Sequence, residues 1–306
     1  LYVFKADKNG SRIGGIVPVV EHTADRTNDM MFGSDGNKLY VAYFRPPQQS
    51  VIHTLDQNLA QIAPPLVTSM QLPHNNLGTM FFQGEKFFMF TGDKAGPNSN
   101  LILTVWNSDW APGITLPKML IQTNSGEGLA FPTGIAYDST FRRWYVGFHH
   151  MKNINPDATT HIDFAVFDEN FVLLEQQHHS NGFRPHFLLL DNSLYSIYDM
   201  NGVFLERYRV QRGAEPHSPD WKQFFTLAPS EGTEFTYDTT SLVPGGGVPV
   251  IGITTNNDIL LSYSGSGQPG SFFVRNNGTK YDQRGIAPAH GPDGSFIYRP
   301  DGKIRF

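Results

Sequence analysis

The chain has no cysteine among its 306 residues. Disulfide bonds, thiolate zinc sites and a cysteine nucleophile are therefore excluded. It also has no run of lysine or arginine, and its net charge of −5 is mild. We therefore expect no nucleic-acid partner, because phosphate binding needs a basic patch. No apolar run approaches the roughly 18 residues of a membrane-spanning helix, so we expect no membrane span.

Periodic apolar patterns and familiar catalytic motifs are also missing. No segment repeats its apolar residues every 3.6 positions, which predicts almost no helix. The P-loop pattern GxxxxGK[ST], a nucleophile elbow, the zinc motif HExxH and an EF-hand are all absent from the sequence. Nucleotide hydrolysis, serine-triad chemistry and the common metal motifs therefore lack support.

Aromatic residues and turn formers are abundant. The chain contains 24 Phe and 12 Tyr beside 30 Gly and 21 Pro. Aromatic side chains favour strands, and Gly and Pro favour the turns between them. This composition predicts an all-β protein.

Residues 131–175 show one complete repeat unit. Four apolar runs are separated by polar turns or connections: Thr133–Tyr137, Trp144–Phe148, Ile162–Phe167 and Phe171–Glu175. Such a series predicts a four-stranded antiparallel meander.

The unit recurs along the chain with steps of 46 to 57 residues. The positions taken as equivalent, each in a second apolar run, are Tyr40, Phe88, Tyr145, Tyr195, Ile251 and Ile297. This period is typical of four-stranded propeller blades. We predict a single domain that is a six-bladed β-propeller. The alternatives, which fit the spacing less well, are five or seven blades or a pair of β-sandwiches. The predicted blades are 21–70, 71–122, 123–176, 177–229, 230–284, and 285–306 together with 1–20.

The two chain ends are predicted to share the last blade. Residues 1–20 resemble the second half of the repeat unit, and residues 285–306 resemble its first half. Pairing them would cover sheet edges that otherwise stay open.

Histidines concentrate on one predicted face of the propeller. The connections between strands two and three, and between one blade and the next, open on the same face. The candidate catalytic residues on these connections and at the entry to blade three are His149, His150, His178, His179, Arg184, His186 and Glu127. His186, which opens a strand, is expected to line the mouth of the central channel.

Imidazoles beside a carboxylate transfer protons near neutral pH or bind a divalent metal. Arginine can hold an acidic substrate through a bidentate contact. His-His pairs, however, have no defined metal-ligand spacing, and adjacent strand residues point to opposite faces. The alternative is that some of these histidines are ordinary loop residues. A divalent metal of unassigned identity is compatible with the set, and we predict no other cofactor.

The rest of the predicted mouth supplies candidate substrate-binding residues, namely Asp29, His74, Asn76, Glu234, Asp238 and His290. Acidic residues that enter successive blades can supply the acid and the base of glycoside hydrolysis. They can also be turn caps. Turn roles alone are predicted for Asp35, Asp56, Asp138, Asp168 and Asp191, which belong to the opposite face.

Two functions remain open at this stage. The first is an extracytoplasmic carbohydrate-active enzyme, a lyase or hydrolase that includes acidic polysaccharides among its substrates, with one site at the histidine-rich mouth. The second is a non-catalytic propeller that binds a glycan or a protein on the same face. The candidate loops differ from blade to blade, which favours one unique site. The composition and the start at Leu1 lead us to expect a secreted or periplasmic protein.

Overall fold

The computed structural model describes part of the chain. The described residues are 2–6, 12–19, 28–45, 49–68, 79–92, 100–107, 109, 117–124, 126–152, 160–181, 183–190, 193–199, 203–209, 247–253, 259–265, 270–274, 281–282, 297–298 and 304–305. These residues form strands and turns, and no helix occurs among them. A helix long and apolar enough to cross a membrane is accordingly not found in this part of the chain.

The described part of the chain contains 23 strands, numbered in chain order. The strands are β1 (Tyr2–Ala6), β2 (Arg12–Pro18), β3 (Asn28–Ser34), β4 (Leu39–Arg45), β5 (Gln49–Leu55), β6 (Leu66–Thr68), β7 (Thr79–Gln83), β8 (Lys86–Gly92), β9 (Leu101–Asn107), β10 (Lys118–Ile121), β11 (Glu127–Asp138), β12 (Arg143–Lys152), β13 (Thr160–Asp168), β14 (Leu173–Asn181), β15 (Phe183–Leu190), β16 (Ser193–Asp199), β17 (Val203–Arg209), β18 (Gly247–Ile253), β19 (Ile259–Gly265), β20 (Gly270–Val274), β21 (Tyr281–Asp282), β22 (Ile297–Tyr298) and β23 (Ile304–Arg305).

The described strands form six antiparallel sheets. Five contain consecutive strands: the β3–β6, β7–β10, β11–β14, β15–β17 and β18–β21 sheets. The sixth, which we call the terminal sheet, has the order β2-β1-β23-β22. Within it Lys5 pairs with Arg305 and Ala6 with Ile304. The prediction that both chain ends share one sheet is therefore confirmed.

The first strands of the sheets contact one another in sequence. β22 contacts β3, β3 contacts β7, β7 contacts β11, β11 contacts β15, β15 contacts β18, and β18 contacts β22. These contacts are those expected of propeller blades arranged around an axis. The number of blades stays a prediction.

The assumed equivalence of strands is wrong for the last two units. Tyr40 and Tyr145 lie in second strands, as expected, but Ile251 lies in β18, the first strand of its sheet. Ile297 likewise lies in β22, at the edge of the terminal sheet. Every strand of a meander has the same alternation of apolar residues. A shift by one strand therefore leaves the sequence pattern intact.

Aspartates close the turns at one end of the sheets. Asp35 Oδ1 accepts hydrogen bonds from the backbone N–H groups of Asn37 and Lys38, at 2.8 and 2.7 Å. The same arrangement recurs at three other turns, those of Asp56, Asp138 and Asp168. These four residues therefore have the predicted turn role. Asp191 lies outside the described residues.

The apolar cores lie between neighbouring sheets. Trp144, Val146 and Phe148 on one face of β12 pack with residues of the β7–β10 sheet such as Phe90. Tyr145, on the opposite face, packs with Phe187 of β15. The β11–β14 sheet is thus buried on both faces, and its polar groups lie where its strands end.

Candidate functional site

Polar side chains gather on one face of the β11–β14 sheet, at one end of it. His150 on β12 pairs with His161 on β13, and Asp163 pairs with His178 on β14. His161 and Asp163 are two residues apart, so their side chains share a face. Directly opposite residues on neighbouring strands also share a face. We call His150, His161, Asp163, His178 and the neighbouring Gln176 the Asp163 cluster.

Asp163 is the centre of this cluster. Its Oδ2 lies 3.0 Å from His150 Nδ1 and accepts a hydrogen bond of 2.7 Å from Gln176 Nε2. Its Oδ1 lies 3.3 Å from His178 Nδ1 and 3.5 Å from His161 Nε2. Three imidazoles therefore surround one carboxylate.

The histidine rings also contact each other. The ring centroids of His150 and His161 are 4.9 Å apart, and those of His161 and His178 are 3.9 Å apart with perpendicular planes. His161 is thus held between two other imidazoles and the carboxylate, all within the span of three adjacent strands.

Glu127 extends the cluster toward solvent. Its Oε2 lies 3.6 Å from His150 Nε2 and accepts a hydrogen bond of 3.0 Å from Asn124 Nδ2. The backbone supports this position, because Glu127 N–H donates to Asn124 O at 3.1 Å. His150 therefore lies between two carboxylates, with Asp163 on its Nδ1 side and Glu127 on its Nε2 side.

Burial differs sharply across these groups. The side chain of Asp163 is 5% exposed and that of His161 is 4% exposed, whereas His178 is 53% exposed. Burial alone would raise the pKa of Asp163. The hydrogen bonds from His150 and Gln176, and the charges of His150 and His161, outweigh it and hold the pKa below its ordinary value. Asp163 is therefore a buried carboxylate kept in its charged form.

The cluster forms one wall of a pocket of about 430 Å³. Its other described lining residues come mainly from the end of β10 and the segment that follows, and they are Ile121, Gln122, Thr123, Asn124, Glu127 and Leu129. The volume lies within the roughly 300–1,000 Å³ of small-molecule pockets. Most of the lining side chains carry amide, hydroxyl, carboxylate or imidazole groups, which suits a polar ligand.

Three of the predicted catalytic residues meet at this pocket, namely Glu127, His150 and His178. Their assumed location in connections is wrong for two of them. His150 lies within β12, which continues to Lys152, and His178 lies within β14, which continues to Asn181. The backbone hydrogen bonds of β12 and β14 continue beyond the ends that the sequence pattern predicts for these two strands.

Two other predicted catalytic histidines lie elsewhere. His149 is buried, but it belongs to the face of β12 whose Gly147 meets Phe187 of β15. His186 lies half-buried on β15. Among the described residues, the pocket lining does not include either of them. Their catalytic roles stay predictions, as does the expected position of His186 at the central mouth.

The backbone alone is described for Asp29, His179 and Arg184, which lie in β3, β14 and β15. The remaining predicted substrate-binding residues lie outside the described residues, and they are His74, Asn76, Glu234, Asp238 and His290.

Sequence reasoning missed His161, Asp163 and Gln176. The sequence pattern places the start of this third strand at Ile162. His161 then lies before the strand, and Asp163 lies inside a strand that is otherwise apolar. A usable signal was present in the spacing His161-x-Asp163, which places two polar side chains on one face of a strand. The alignment of that strand with His150 and His178 depends on the cross-strand register, which the sequence does not show.

No family model matches the chain, and no curated protein matches it. Among solved structures, a β-propeller domain from Myceliophteria thermophila is similar, with a TM-score of 0.53 and 9% identity over 95% of this chain and 86% of that one. A xylan β-1,4-xylosidase from Bacillus halodurans has a TM-score of 0.47 and 14% identity over 86% of this chain. This chain spans 58% of that xylosidase.

An exo-1,5-α-L-arabinanase from a bovine ruminal metagenomic library also has a TM-score of 0.47, with 9% identity over 93% of this chain and 98% of that one. At such identities a structural likeness speaks for the fold alone. Together with the antiparallel sheets, the likeness to the Myceliophteria domain confirms the predicted all-β propeller fold.

Proposed function

We propose that this chain is a carbohydrate-active hydrolase whose site is the pocket lined by Glu127 and the Asp163 cluster. The observation that carries the proposal is the linked set Asp163, His150 and Glu127. A buried carboxylate, an imidazole and a partly exposed carboxylate follow one another, at 3.0 Å and 3.6 Å, into the wall of a pocket. Proton transfer to a bound ligand needs such a group, held in place and within reach of the ligand.

Glu127 is the group assigned to the proton transfer. In hydrolysis of a glycosidic bond, the carboxyl group gives a proton to the leaving oxygen, and water bonds to the carbon that this oxygen leaves. The proton lost by the water returns the carboxylate to its acid form. Asn124 fixes Oε2 by a hydrogen bond of 3.0 Å, so that the carboxyl group keeps one position.

The pocket lining supports a polyhydroxylated ligand. Gln122, Asn124 and Gln176 present amide groups, and Thr123 presents a hydroxyl group. Amides both donate and accept hydrogen bonds, as sugar hydroxyls do. A ligand rich in hydroxyl groups can therefore replace the water that these side chains would otherwise bind.

The finer predictions belong to this proposal as well. Lyase activity is the alternative reaction, and acidic polysaccharides are candidate substrates. Binding of a glycan or a protein without catalysis is the alternative function. A secreted or periplasmic location is also part of the proposal. A lyase would release a product with a new carbon–carbon double bond, whereas a hydrolase adds water across the bond. Product masses distinguish the two reactions.

The test is an activity panel of neutral and acidic polysaccharides and synthetic glycosides. Xylan and arabinan belong in it, because the similar structures include a xylosidase and an arabinanase. We expect release of reducing ends, with product masses that include one added water. The Glu127→Gln variant should lose at least about 100-fold in rate, the lower range for general acid–base catalysis.

Glu169→Gln is the matched control. Glu169 belongs to the same sheet but lies in the turn at its other end, where it pairs with Arg142 on the surface. The Glu169→Gln variant should cleave the substrate at the wild-type rate. If no member of the panel is cleaved, or if Glu127→Gln retains the wild-type rate, the proposal fails. Binding without cleavage would favour the non-catalytic propeller instead.

A further inference from the structure

We propose that the Asp163 cluster is a binding site for one divalent transition-metal ion of the Zn²⁺ type. One ligand atom from each of His150, His161 and Asp163 lies within 4.8 Å of the others. His178 lies outside this group of three, but its Nδ1 is 3.3 Å from Asp163 Oδ1, and we assign it the fourth ligand position. This site does not depend on the proposed hydrolase activity.

The distances match those between ligands of a small cation. Zinc bonds of 2.0–2.2 Å in a tetrahedral arrangement place neighbouring ligand atoms about 3.3–3.6 Å apart. Asp163 Oδ1 lies 3.5 Å from His161 Nε2 and 3.3 Å from His178 Nδ1. His150 Nδ1 contacts the other carboxylate oxygen, Oδ2, at 3.0 Å, so its ring has to shift for all four atoms to face one cation.

The number of imidazoles exceeds what Asp163 needs as a buried charge. Gln176 donates to Oδ2 at 2.7 Å, and His150 lies 3.0 Å from the same oxygen. Two hydrogen bonds of this kind already stabilise a buried carboxylate. His161 and His178 nevertheless converge on Oδ1, and a shared cation gives their nitrogen lone pairs a common partner.

The residues around the Asp163 cluster resemble those around metal sites in other proteins. The apolar residues Leu129 and Phe148 lie on the same face of the sheet, and both are buried. Histidine ligands usually direct their second nitrogen at a carboxylate or carbonyl group, which fixes the ring. Here His150 Nε2 faces Glu127 Oε2 at 3.6 Å, and Gln176 holds the carboxylate ligand.

The ligand set also predicts which metals bind. Imidazole nitrogen suits Zn²⁺, Co²⁺, Ni²⁺ and Cu²⁺, whereas Ca²⁺ and Mg²⁺ take oxygen ligands. Three nitrogen atoms and one carboxylate therefore select a transition metal. We expect Zn²⁺ and Co²⁺ to bind with a stoichiometry of one, and Ca²⁺ not to bind at the same concentrations.

The experiment titrates the full chain, stripped with a chelator and free of any histidine tag, with Co²⁺, Zn²⁺ and Ca²⁺. Calorimetry measures stoichiometry and affinity, and the visible spectrum of Co²⁺ reports on tetrahedral nitrogen ligation. The wild type should take up one Co²⁺ and show intense visible bands. His53→Gln, which replaces a buried histidine in the β3–β6 sheet, should behave in the same way.

Two ligand variants test the assignment. His161→Gln removes the most enclosed ligand and should abolish the Co²⁺ bands. His178→Ala removes a half-exposed ligand at little risk to folding, and should weaken binding at least about tenfold, the lower effect seen for residues that only support a ligand. Circular dichroism checks that both variants fold.

Absence of saturable Zn²⁺ and Co²⁺ binding to the wild type would overturn the proposal. Unchanged affinity in folded His178→Ala, or equal affinity for Ca²⁺, would overturn it as well. A failed metal titration leaves the Glu127→Gln activity test intact, so the two proposals can fail separately.

Discussion

Two sheets of the molecule bury histidine side chains, and the partners of His53 in one differ from those of His150 in the other. In the β3–β6 sheet, His53 Nδ1 donates to the amide oxygen of Gln61 at 3.1 Å, and its ring stacks on Tyr43. In the β11–β14 sheet, His150 lies between the carboxylates of Asp163 and Glu127. Burial by itself therefore does not single out a candidate functional histidine, and His150 is distinguished by the two carboxylates beside it.

The electrostatics of the two sheets differ accordingly. Burial lowers the pKa of His53, and its hydrogen bond with Gln61 opposes this only in part. His53 is thus a neutral side chain that completes a core. Asp163 stays charged despite burial, because donors surround it. Burying a charge costs free energy, so a sheet that needed stability alone would place an apolar residue there.

The largest effect is expected when that charge is removed. Asp163→Ala leaves the buried His150 without its acceptor, and loss of one partner of a buried ionic group costs about 3–5 kcal/mol. Gln61→Ala, which removes the partner of His53, should cost about 1 kcal/mol, as for a single neutral hydrogen bond. Urea unfolding of both variants measures the difference. Similar losses in the two would erase the contrast between the sheets.

A second contrast concerns glycines at the two sheet interfaces. A Cβ on Gly147 would lie 2.5 Å from the ring of Phe187, whereas a Cβ on Gly33 would lie 3.0 Å from Sδ of Met80. The aromatic ring is rigid and packed edge-on against Phe164, while methionine adapts its shape. Gly147→Ala should therefore cost about 2 kcal/mol, within the usual range for overpacking.

Gly33→Ala should cost less than half as much, and Phe187→Leu should restore part of the stability of Gly147→Ala. Thermal unfolding of the single and double variants checks both expectations. An equal loss of stability in Gly147→Ala and Gly33→Ala would contradict the expectation, because both sheet interfaces would then tolerate an added methyl group to the same extent.

A smaller effect is expected from the amide that holds Glu127. Asn124→Ala removes the hydrogen bond of 3.0 Å to Oε2, so that the carboxylate loses one fixed position. We expect kcat to fall about tenfold, equivalent to about 1.4 kcal/mol, and KM to rise as well, because Asn124 also lines the pocket. Gln61→Ala should leave kcat unchanged. A drop in both variants would indicate a general loss of structure rather than a positioned carboxylate.

The smallest effect concerns pH. The pKa of His53 in the folded chain lies below its ordinary value of 6.5. At a pH below 6.5, the unfolded chain therefore binds more protons at this residue than the folded chain does. The contribution of His53 to stability is therefore complete above pH 6.5 and declines below it, by less than about 1.4 kcal/mol per pH unit. His53→Gln should show a flatter dependence in urea unfolding at pH 7, 6 and 5. Parallel curves would contradict a lowered pKa.

Much of the fold follows from local patterns in the sequence. The alternation around Trp144 and Tyr145, and the aspartate turns such as Asp138, are short-range signals, and they predicted strands and turns that the structure contains. The pairing of the chain ends was predictable because each end alone is half a sheet. The shift at Ile251 was not predictable, because alternation does not number the strands.

The candidate site was only partly predictable for a related reason. Glu127, His150 and His178 stood out as polar residues beside strands, whereas Asp163 lay within the predicted strand Ile162–Phe167 and His161 directly before it. What joins them is the register of three neighbouring strands, and register depends on contacts between residues distant in sequence.

The most decisive experiment on the proposed pocket is histidine side-chain NMR during ligand binding. The Glu127→Gln variant, labelled with ¹⁵N-histidine, is titrated with an oligosaccharide that the wild type cleaves. We predict that the imidazole signals of His150 and His178 shift in proportion to the fraction of ligand bound, while the signal of His53 stays in place. Unmoved signals of His150 and His178 at saturation would contradict the claim that the pocket beside the Asp163 cluster is the site.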